Sequence, residues 1–362
     1  MNAPSRTPAF ARDGSSCSTF MLCKADTFII GHNLDESFHV PGVIVVNKRN
    51  VQKTNVSLLE LLTAQKPPSP STSWTSKYGS VTFNPFGREF PDGGINEAGL
   101  YIQEMTLAGT RFPEDDGLPR MFMMQWMQYQ LDNLASVEQV LANLSQIILD
   151  GWAWHFFTCD ASGNYAGIEF IDGQTHVFTG ESMPIPVLCN TAYPQEVDNL
   201  KGYEGFGGDR PVDLNDKEIE RFVHAAHMIS HTPQAEPVDY GFDVLRTLER
   251  GNTQWSYVID VRGKSAYFSS QGRKRKHLAM SAFDYSCDTP VKMLDIHSDL
   301  DGDVSAHFVD YSSELNRQLV REQVGVLDRS GDVTRAVESY GNSVSNVIEA
   351  IAGYPESTVC IT

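Results

Sequence analysis

The sequence predicts an α+β fold in which stacked sheets lie between layers of helices. Strand patterns fall into two groups along the chain, and helical periodicity separates the groups, which is typical of sheets covered by helical layers. The run Val43-Ile44-Val45-Val46 is apolar and β-branched throughout, as in a strand buried on both faces. No low-complexity linker interrupts the middle of the chain, and this favours one large domain.

The N-terminal part of the chain is predicted to consist mainly of strands. Residues 17–30 have the pattern of a strand, a turn and a second strand that ends at Gly31. Pro91-Asp92-Gly93-Gly94 has the composition of a turn between two further strands, at 80–83 and 99–105. Residues 66–73 are rich in Pro and Ser, and we interpret them as a loop rather than a domain boundary.

Helices and strands alternate in the rest of the chain. Helical periodicity covers 118–131, and a second helix follows Ser136, an N-cap residue with Glu138 in the first turn. The remaining predicted elements, in chain order, are strands at 155–158, 165–171, 176–178 and 187–189, helices at 218–230 and 242–249, a hairpin of 254–260 and 265–269, and a mostly helical tail from about residue 312.

The charge of the chain argues against nucleic acid as a partner. The formal net charge is -18 and the sequence pI is about 4.9, whereas phosphate binding needs a clustered basic face. The one basic run, Arg273-Lys274-Arg275-Lys276, is interpreted as a solvated turn. No apolar stretch approaches the ~20 residues that a membrane-spanning helix needs. We therefore expect neither a nucleic-acid nor a membrane partner.

The cysteines and the N-terminal segment give information on the cellular compartment of the protein. Residues 1–16 contain no apolar core of a secretory signal. The six cysteines are scattered, without a CxxC motif, and are expected to be buried thiols in a reducing compartment. Cytoplasmic localisation is the default interpretation, and a periplasmic or secreted protein stays open.

Cys17 is the first candidate catalytic residue. It begins a predicted strand directly after Asp13-Gly14-Ser15-Ser16, and a thiol is a good nucleophile near neutral pH once a base is available. No Cys–His pair is identifiable by spacing. The α-amino group of Cys17 itself, with an ordinary pKa of ~7.7–8.0, is a suitable base if the Ser16–Cys17 bond is cut. The alternative is a buried, inert cysteine.

A polar segment follows Cys17 through one hairpin. Gly31-His32-Asn33-Leu34-Asp35 would return the carboxylate of Asp35 close to Cys17, where it could hold an α-ammonium group or orient the thiol. The alternative is a tight turn with an Asx cap.

Several segments together resemble the choloylglycine hydrolase family of linear amide C–N hydrolases, which includes conjugated bile salt hydrolases and penicillin V acylases. The resemblance covers about Cys17 to Ile296. The matching segments, in chain order, are Cys17-Ser18-Thr19-Phe20, Gly31-x-Asn33-x-Asp35, Asn96-Glu97-x-Gly99-Leu100, Leu188-Cys189-Asn190-Thr191, Glu220-Arg221-Phe222 and Gln254-Trp255-Ser256.

The resemblance implies a four-layer αββα sandwich of two mainly antiparallel sheets, the N-terminal-nucleophile hydrolase fold. It also implies the site. Cys17 would be the nucleophile and its freed amine the base, with Asp35 against both. The side chain of Asn190 and the backbone N–H of Thr106 would stabilise the oxyanion. Arg221 would orient Cys17 and steady negative charge.

The sequence departs from the family pattern at two points. His32 stands where the bile salt and penicillin V enzymes have an arginine, so it is a candidate site-tuning or substrate-binding residue and speaks against bile salts. Residues 1–16 would have to be removed by autocatalytic cleavage at Ser16–Cys17, which leaves residues 17–362 as a single domain.

The function implied is thioester-mediated hydrolysis of a linear amide in a small N-acyl substrate, without a cofactor or metal, by a homo-oligomer that would be a tetramer as in the family. Acyl transfer from the same thioester is the alternative. A metal site on one helix face at His224, His227 and His231 and an inactive homologue are further alternatives. An apolar acyl pocket and ordinary core packing are equal interpretations of one set of side chains: Phe20, Phe38, Trp74, Phe83, Phe86, Met105 and Trp126.

Overall fold

The structure is a computed structural model that describes residues 16–24, 27–65, 69–115, 117–233 and 236–361, the side chains of residues 24 and 27 excepted. The strands are β1 (Ser18–Lys24), β2 (Thr27–Asp35), β3 (Val43–Asn47), β4 (Val51–Thr54), β5 (Ser73–Thr75), β6 (Ser80–Asn84), β7 (Gly93–Asn96), β8 (Tyr101–Thr106), β9 (Arg120–Phe122), β10 (Ile148–Asp150), β11 (Trp154–Cys159), β12 (Tyr165–Ile171), β13 (Gln174–Thr179), β14 (Val187–Leu188), β15 (Thr253–Asp260), β16 (Ser265–Ser270), β17 (Lys276–Ala279), β18 (Lys292–Asp295), β19 (Gly302–Asp303), β20 (Val309–Asp310) and β21 (Val359–Cys360). The helices are α1 (Leu58–Thr63), α2 (Met123–Asn133), α3 (Val137–Asn143), α4 (Tyr193–Leu200), α5 (Arg221–Ser230), α6 (Pro237–Leu248), α7 (Ser313–Leu327), α8 (Asp332–Ser339) and α9 (Val344–Gly353).

The first large sheet contains seven strands in the order β14-β1-β2-β15-β16-β17-β19. Its centre is the predicted N-terminal hairpin, in which Ser18 lies opposite Asn33, and β2 also pairs with β15. Both contacts are antiparallel, so the end of β2 returns to the start of β1. We call this the nucleophile sheet, because β1 directly follows Cys17, for which the resemblance implies the role of nucleophile.

The second large sheet contains nine strands in the order β13-β12-β11-β8-β7-β6-β3-β18-β20, and all its pairs are antiparallel. Every residue of β3 is buried, which confirms the strand predicted from its continuous apolar run. Two small sheets, β10-β9 and β21-β4-β5, complete the described strands.

The two large sheets stack face to face between helices. Tyr257 of β15 lies on Phe83 of β6 with ring centroids 4.2 Å apart, and its hydroxyl lies 2.9 Å from the hydroxyl of Tyr101 on β8. Helices α5 and α6 cover the outer face of the nucleophile sheet, whereas α2 covers β7 and β8 of the other sheet. The α+β fold of two stacked, mainly antiparallel sheets between helices is therefore confirmed.

Several element boundaries differ from the sequence predictions. Gly93 and Gly94 belong to β7 rather than to a turn, because the backbone there runs close to its neighbour: a Cβ at Gly94 would lie 2.5 Å from the carbonyl oxygen of Val81. The helix predicted at 118–131 begins only at Met123. Lys276 is not part of a solvated turn, since it is fully buried and donates to the carbonyl of Ser298 at 2.9 Å.

The C-terminal helices cover the outer face of the nine-stranded sheet. Helices α7 and α9 pack on each other, α9 also contacts α1, and Val320 and Ile351 share a hydrophobic cluster with Trp126 of α2. Across the described ranges, none of the helices combines the length and apolar character that crossing a bilayer would require.

A disulfide ties the C-terminal end to the body of the domain. Cys287 and Cys360 are bonded, so the expectation that all six cysteines are free thiols was wrong. Cys23 is exposed, and the remaining cysteines are buried thiols. A separation of 73 residues carries no local signal, which is why the sequence did not predict this pair.

Candidate active site

Cys17 lies buried at the entrance to β1. Its side chain is 1% exposed, and the backbone N–H of Ser16 donates to the carbonyl of Asp35 at 3.1 Å. Burial raises the pKa of the Cys17 thiol well above its ordinary value, and the negative charges of Glu104 and Asp35 raise it further. With the Ser16–Cys17 bond intact, the thiol is therefore protonated at neutral pH and needs a base before it can act as a nucleophile.

Asp35, the last residue of β2, lies beside the same backbone. Its Oδ1 accepts a hydrogen bond from the hydroxyl of Thr253 at 2.5 Å, and its Oδ2 lies 3.7 Å from Nη1 of Arg221. Among the described residues, Oδ2 has no hydrogen-bond partner. Burial raises the pKa of this carboxyl to about 6, although the Thr253 hydroxyl and the charge of Arg221 oppose the change.

Arg221 joins the members of the site. It is the first residue of α5, and its side chain is 12% exposed. Nη1 donates to the carbonyl oxygens of Ser16 and Cys17, the latter at 2.6 Å, and to the hydroxyl of Ser18 at 2.6 Å. A guanidinium carries donors in a fixed plane, so these contacts fix the backbone around Cys17 relative to the helix.

Asn190 connects Arg221 to the second sheet. It follows β14, and its Oδ1 accepts from Nη2 of Arg221 at 2.7 Å. Its Nδ2 donates to the carbonyl oxygen of Thr106, at the end of β8, at 2.6 Å. Because an amide nitrogen carries two hydrogens, one N–H remains for a further acceptor. Thr106 thus binds Asn190 through its carbonyl, while its predicted role concerns its N–H.

His32 lies in the core between the sheets. It is fully buried, its Nδ1 lies 2.8 Å from the hydroxyl of Thr19, and its ring contacts Tyr257 at a centroid distance of 5.1 Å. Burial lowers the pKa of His32 to about 3, so the ring is neutral at physiological pH. It therefore does not supply the positive field that an arginine would give at this position.

Ser18 and Thr253 belong to the site although the sequence did not single out either for chemistry. The hydroxyl of Ser18 accepts from Arg221, and that of Thr253 donates to Asp35 across 218 residues of sequence. The pairing of β2 with β15 brings Thr253 to the site, and no local sequence pattern predicts a contact between segments so far apart.

The rings of His227 and His231 stack at a centroid distance of 4.4 Å, but together with His224 they do not form a group with metal-binding spacing among the described residues. Nε2 of His224 faces the carbonyl of Asp213 at 3.2 Å, and Nδ1 of His231 faces that of His227 at 2.8 Å. Within the described part of the chain, the one group of three side chains with metal-binding spacing is Cys287, Asp288 and Cys360, whose two cysteines form the disulfide.

The aromatic and methionine side chains considered for an acyl pocket are divided between two cores. Phe20, Phe83 and Met105 are fully buried in the hydrophobic cluster of Cys17, and Phe38 packs against it. A different cluster, beneath α2, contains the others: Trp74, Phe86 and Trp126. These side chains therefore do not line one common pocket.

Comparisons with known proteins bear on the family and the fold of this chain. Residues 17–239 match the model of the linear amide C–N hydrolases, choloylglycine hydrolase family. The chain is 28% identical over 246 residues to a penicillin V acylase of Pectobacterium atrosepticum, a match that covers 55% of this chain and 65% of that protein. The chain thus spans somewhat less than two thirds of that relative's length.

Two solved structures share the fold. A penicillin V acylase from Agrobacterium tumefaciens has a TM-score of 0.71 at 24% identity, covering 82% of this chain and 98% of that one. A conjugated bile acid hydrolase from Clostridium perfringens has a TM-score of 0.62 at 18% identity, covering 77% of this chain and 97% of that one. These likenesses confirm the N-terminal-nucleophile hydrolase fold. Because the family model matches more than half of the chain, this protein belongs to the linear amide C–N hydrolases of the choloylglycine hydrolase family.

Proposed function

We propose that this protein hydrolyses the linear amide bond of a small N-acyl substrate, with Cys17 as the nucleophile and a thioester as the intermediate. One observation carries the proposal. A single guanidinium, that of Arg221, contacts the backbone of Cys17 and the side chains of Asn190 and Asp35. Nucleophile, oxyanion donor and charge partner are thereby held in one buried cluster, as acyl transfer to a thiol requires.

The first step is removal of residues 1–16. The thiol of Cys17 attacks the carbonyl carbon of Ser16, the C–N bond to Cys17 breaks, and the nitrogen takes up a proton to become a free amine. Water then hydrolyses the Ser16 thioester and releases a carboxylate. Arg221 donates to the Ser16 carbonyl oxygen before the reaction, so it stands where negative charge develops during the attack.

The freed amine then becomes the base. Its ordinary pKa of ~7.7–8.0 allows it to take the thiol proton near neutral pH. The resulting ammonium group needs an acceptor in a buried site. The backbone of Asp35 accepts from the N–H of Ser16, and its side-chain Oδ2 has no hydrogen-bond partner among the described residues. In this proposal, cleavage provides a hydrogen-bond donor for Oδ2.

Substrate turnover follows the same geometry. The thiolate attacks the acyl carbonyl, and the remaining N–H of Asn190 with the backbone N–H of Thr106 stabilises the oxyanion. The ammonium group returns its proton to the leaving amine, and water hydrolyses the thioester. Because His32 is neutral, the positive field at the site comes from arginines, Arg221 and Arg250 among them. No cofactor or metal takes part.

The relatives guide the substrate class. Their names point to penicillin V and conjugated bile acids, and we propose an amide with an apolar acyl group rather than a bile salt, because His32 replaces an arginine. A cavity of about 240 Å³ lies beside the site and is lined by residues of both charges, among them Glu196, Lys217, Arg221 and Arg250. Such a lining suits a polar leaving group.

Two further features are proposed. A homo-oligomer, a tetramer by resemblance to the family, is tested by light scattering on a sizing column. The sequence favours the cytoplasm, but the Cys287–Cys360 disulfide favours an oxidising compartment, and we propose the latter.

A hydrolysis screen tests the function. Purified protein is offered penicillin V, acyl homoserine lactones, small acyl amines and conjugated bile salts, with Cys17→Ala as the blank. We expect release of amine from the first three classes by wild type alone. Equal release by Cys17→Ala would contradict the proposal, and diversion of the acyl group to an added amine would assign acyl transfer instead.

A further inference from the structure

A buried histidine–glutamate pair lies behind the segment that carries Asn190. His155 on β11 and Glu169 on β12 occupy neighbouring strands of the nine-stranded sheet. Nδ1 of His155 lies 3.2 Å from Oε1 of Glu169, and their side chains are 0% and 1% exposed. Ionisable side chains are rarely buried to this degree unless they are paired, so the pair calls for a role.

Both members of the pair bind the backbone on either side of Asn190. Nε2 of His155 lies 2.8 Å from the carbonyl oxygen of Cys189, the residue directly before Asn190. Oε1 of Glu169 accepts the backbone N–H of Tyr193, the first residue of α4, at 2.8 Å. The segment 189–193 is thereby held at both ends by side chains of the opposite sheet.

The chemistry of the partners defines the hydrogens on His155. A carbonyl oxygen can only accept, so Nε2 must carry a proton toward Cys189. The other ring nitrogen lies within hydrogen-bond distance of Glu169 Oε1, so the ring is held on both sides. Glutamine at this position could reproduce the donor toward Cys189, and phenylalanine could reproduce neither contact.

Strand β8, which pairs with β11, supplies the acceptor for the side chain of Asn190. In the β8–β11 ladder, His155 lies opposite Met105 and Trp154 opposite Thr106, whose carbonyl receives Nδ2 of Asn190. Strand β11 thus holds the backbone next to Asn190 through His155, and β8 provides the acceptor for the side chain of Asn190. A shift of segment 189–193 would move the remaining N–H of Asn190 away from its target.

We propose that His155 and Glu169 are positioning residues of the reaction, which fix segment 189–193 so that Asn190 faces the oxyanion. This inference rests on the proposed function. Removing an oxyanion donor costs roughly 10²–10³ in rate, and misplacing one by about an ångström costs up to roughly 10²-fold. We therefore expect His155→Phe to lower kcat by about 10–100-fold with KM nearly unchanged.

A double-mutant cycle separates positioning from a general loss of stability. If His155 acts through Asn190, the double variant His155→Phe/Asn190→Ala is no slower than Asn190→Ala alone, within about twofold. If the decreases in kcat of the two single variants multiply in the double variant, the inference is overturned. His155→Gln, which keeps a donor toward Cys189, should recover part of kcat.

His224→Phe is the matched control. His224 is also fully buried, but the backbone carbonyl that it faces belongs to Asp213, outside segment 189–193. Any decrease in kcat that His224→Phe causes should multiply with the decrease caused by Asn190→Ala. Coupling of both histidines to Asn190 would mean that the effect is not specific and would overturn the inference.

Crystal structures of the two phenylalanine variants test the positioning role without a substrate. We expect the contact between Asn190 and Arg221 to be broken or lengthened in His155→Phe and preserved at about the present 2.7 Å in His224→Phe. An unchanged contact in His155→Phe would refute the positioning role. If wild type hydrolyses none of the substrates but Asn190 is displaced in the crystal structure of His155→Phe, the proposed function is rejected and the structural inference is retained.

Discussion

Arg221 donates from Nη2 to the side-chain oxygen of Asn190 at 2.7 Å, and this contact decides which end of the amide faces the second sheet. With Oδ1 occupied by a donor, Nδ2 must turn toward the carbonyl of Thr106, which it meets at 2.6 Å. The guanidinium therefore orients the amide of Asn190 and holds the backbone of Cys17 at the same time.

The first prediction concerns that orientation. Asn190→Asp keeps the size of the side chain but replaces the N–H donor with an acceptor, which would repel both the Thr106 carbonyl and the oxyanion. We expect kcat to fall by roughly 10²–10³ while KM changes little, because the donor acts on developing charge. Steady-state kinetics on the best substrate of the screen measure this, and a change confined to KM would speak against the assignment.

The second prediction concerns Asp35 in the uncleaved chain. Its pKa is raised from 3.8 to about 6, so the folded state holds its proton more tightly than the unfolded state. The free energy of unfolding should therefore fall as pH rises from about 4 to 6, by roughly 1.4 kcal/mol per pK unit of difference. Urea unfolding of Cys17→Ala and of Cys17→Ala/Asp35→Asn isolates this contribution, and identical pH slopes in the two proteins would argue against it.

The third prediction concerns His32, whose pKa is lowered from 6.5 to about 3. Here the unfolded state binds the proton more tightly, so stability falls as pH drops from 6.5 toward 3, opposite in sign to Asp35. His32→Gln should remove that part of the acid sensitivity. It should also leave the pH profile of kcat/KM between pH 5 and 8 unchanged, since a neutral ring does not titrate there. A shifted inflection in that profile would show that His32 tunes the site.

The fourth prediction concerns the disulfide. Without reductant, the denatured protein should expose four reactive thiols, the number of free cysteines in the structure. Cys287→Ser/Cys360→Ser should lower the free energy of unfolding by about 2–4 kcal/mol, because the bond closes a loop of 73 residues. Six reactive thiols in unreduced protein would contradict the bond.

Much of the nucleophile sheet could be predicted from sequence because its signals are local. The hairpin of β1 and β2 follows from strand patterns around a short turn, and this pairing brings Asp35 back to Cys17. The continuous apolar run of β3 likewise predicts a strand buried on both faces. Periodicity and turn chemistry suffice where the interacting residues are close in sequence.

The rest of the site depends on contacts between distant segments. Arg221 meets Ser18 across 203 residues, and Thr253 meets Asp35 across 218, so no spacing rule announces either hydroxyl. His32 is a candidate site residue through its place in a motif, but its burial against Tyr257 depends on the pairing of β2 with β15, which is distant in sequence. The pair His155 and Glu169 carries no sequence signal, because its partners are backbone atoms of another sheet.

The fifth prediction is the central one, that Cys17 becomes the N-terminal residue. Intact mass spectrometry is applied to wild type and Cys17→Ala, each purified through a C-terminal tag. We expect wild type to lack residues 1–16 and Cys17→Ala to retain them, because only a thiol at this position can attack the Ser16 carbonyl. An active wild-type preparation whose mass still includes residues 1–16 would contradict the account, since the proposed base would not exist.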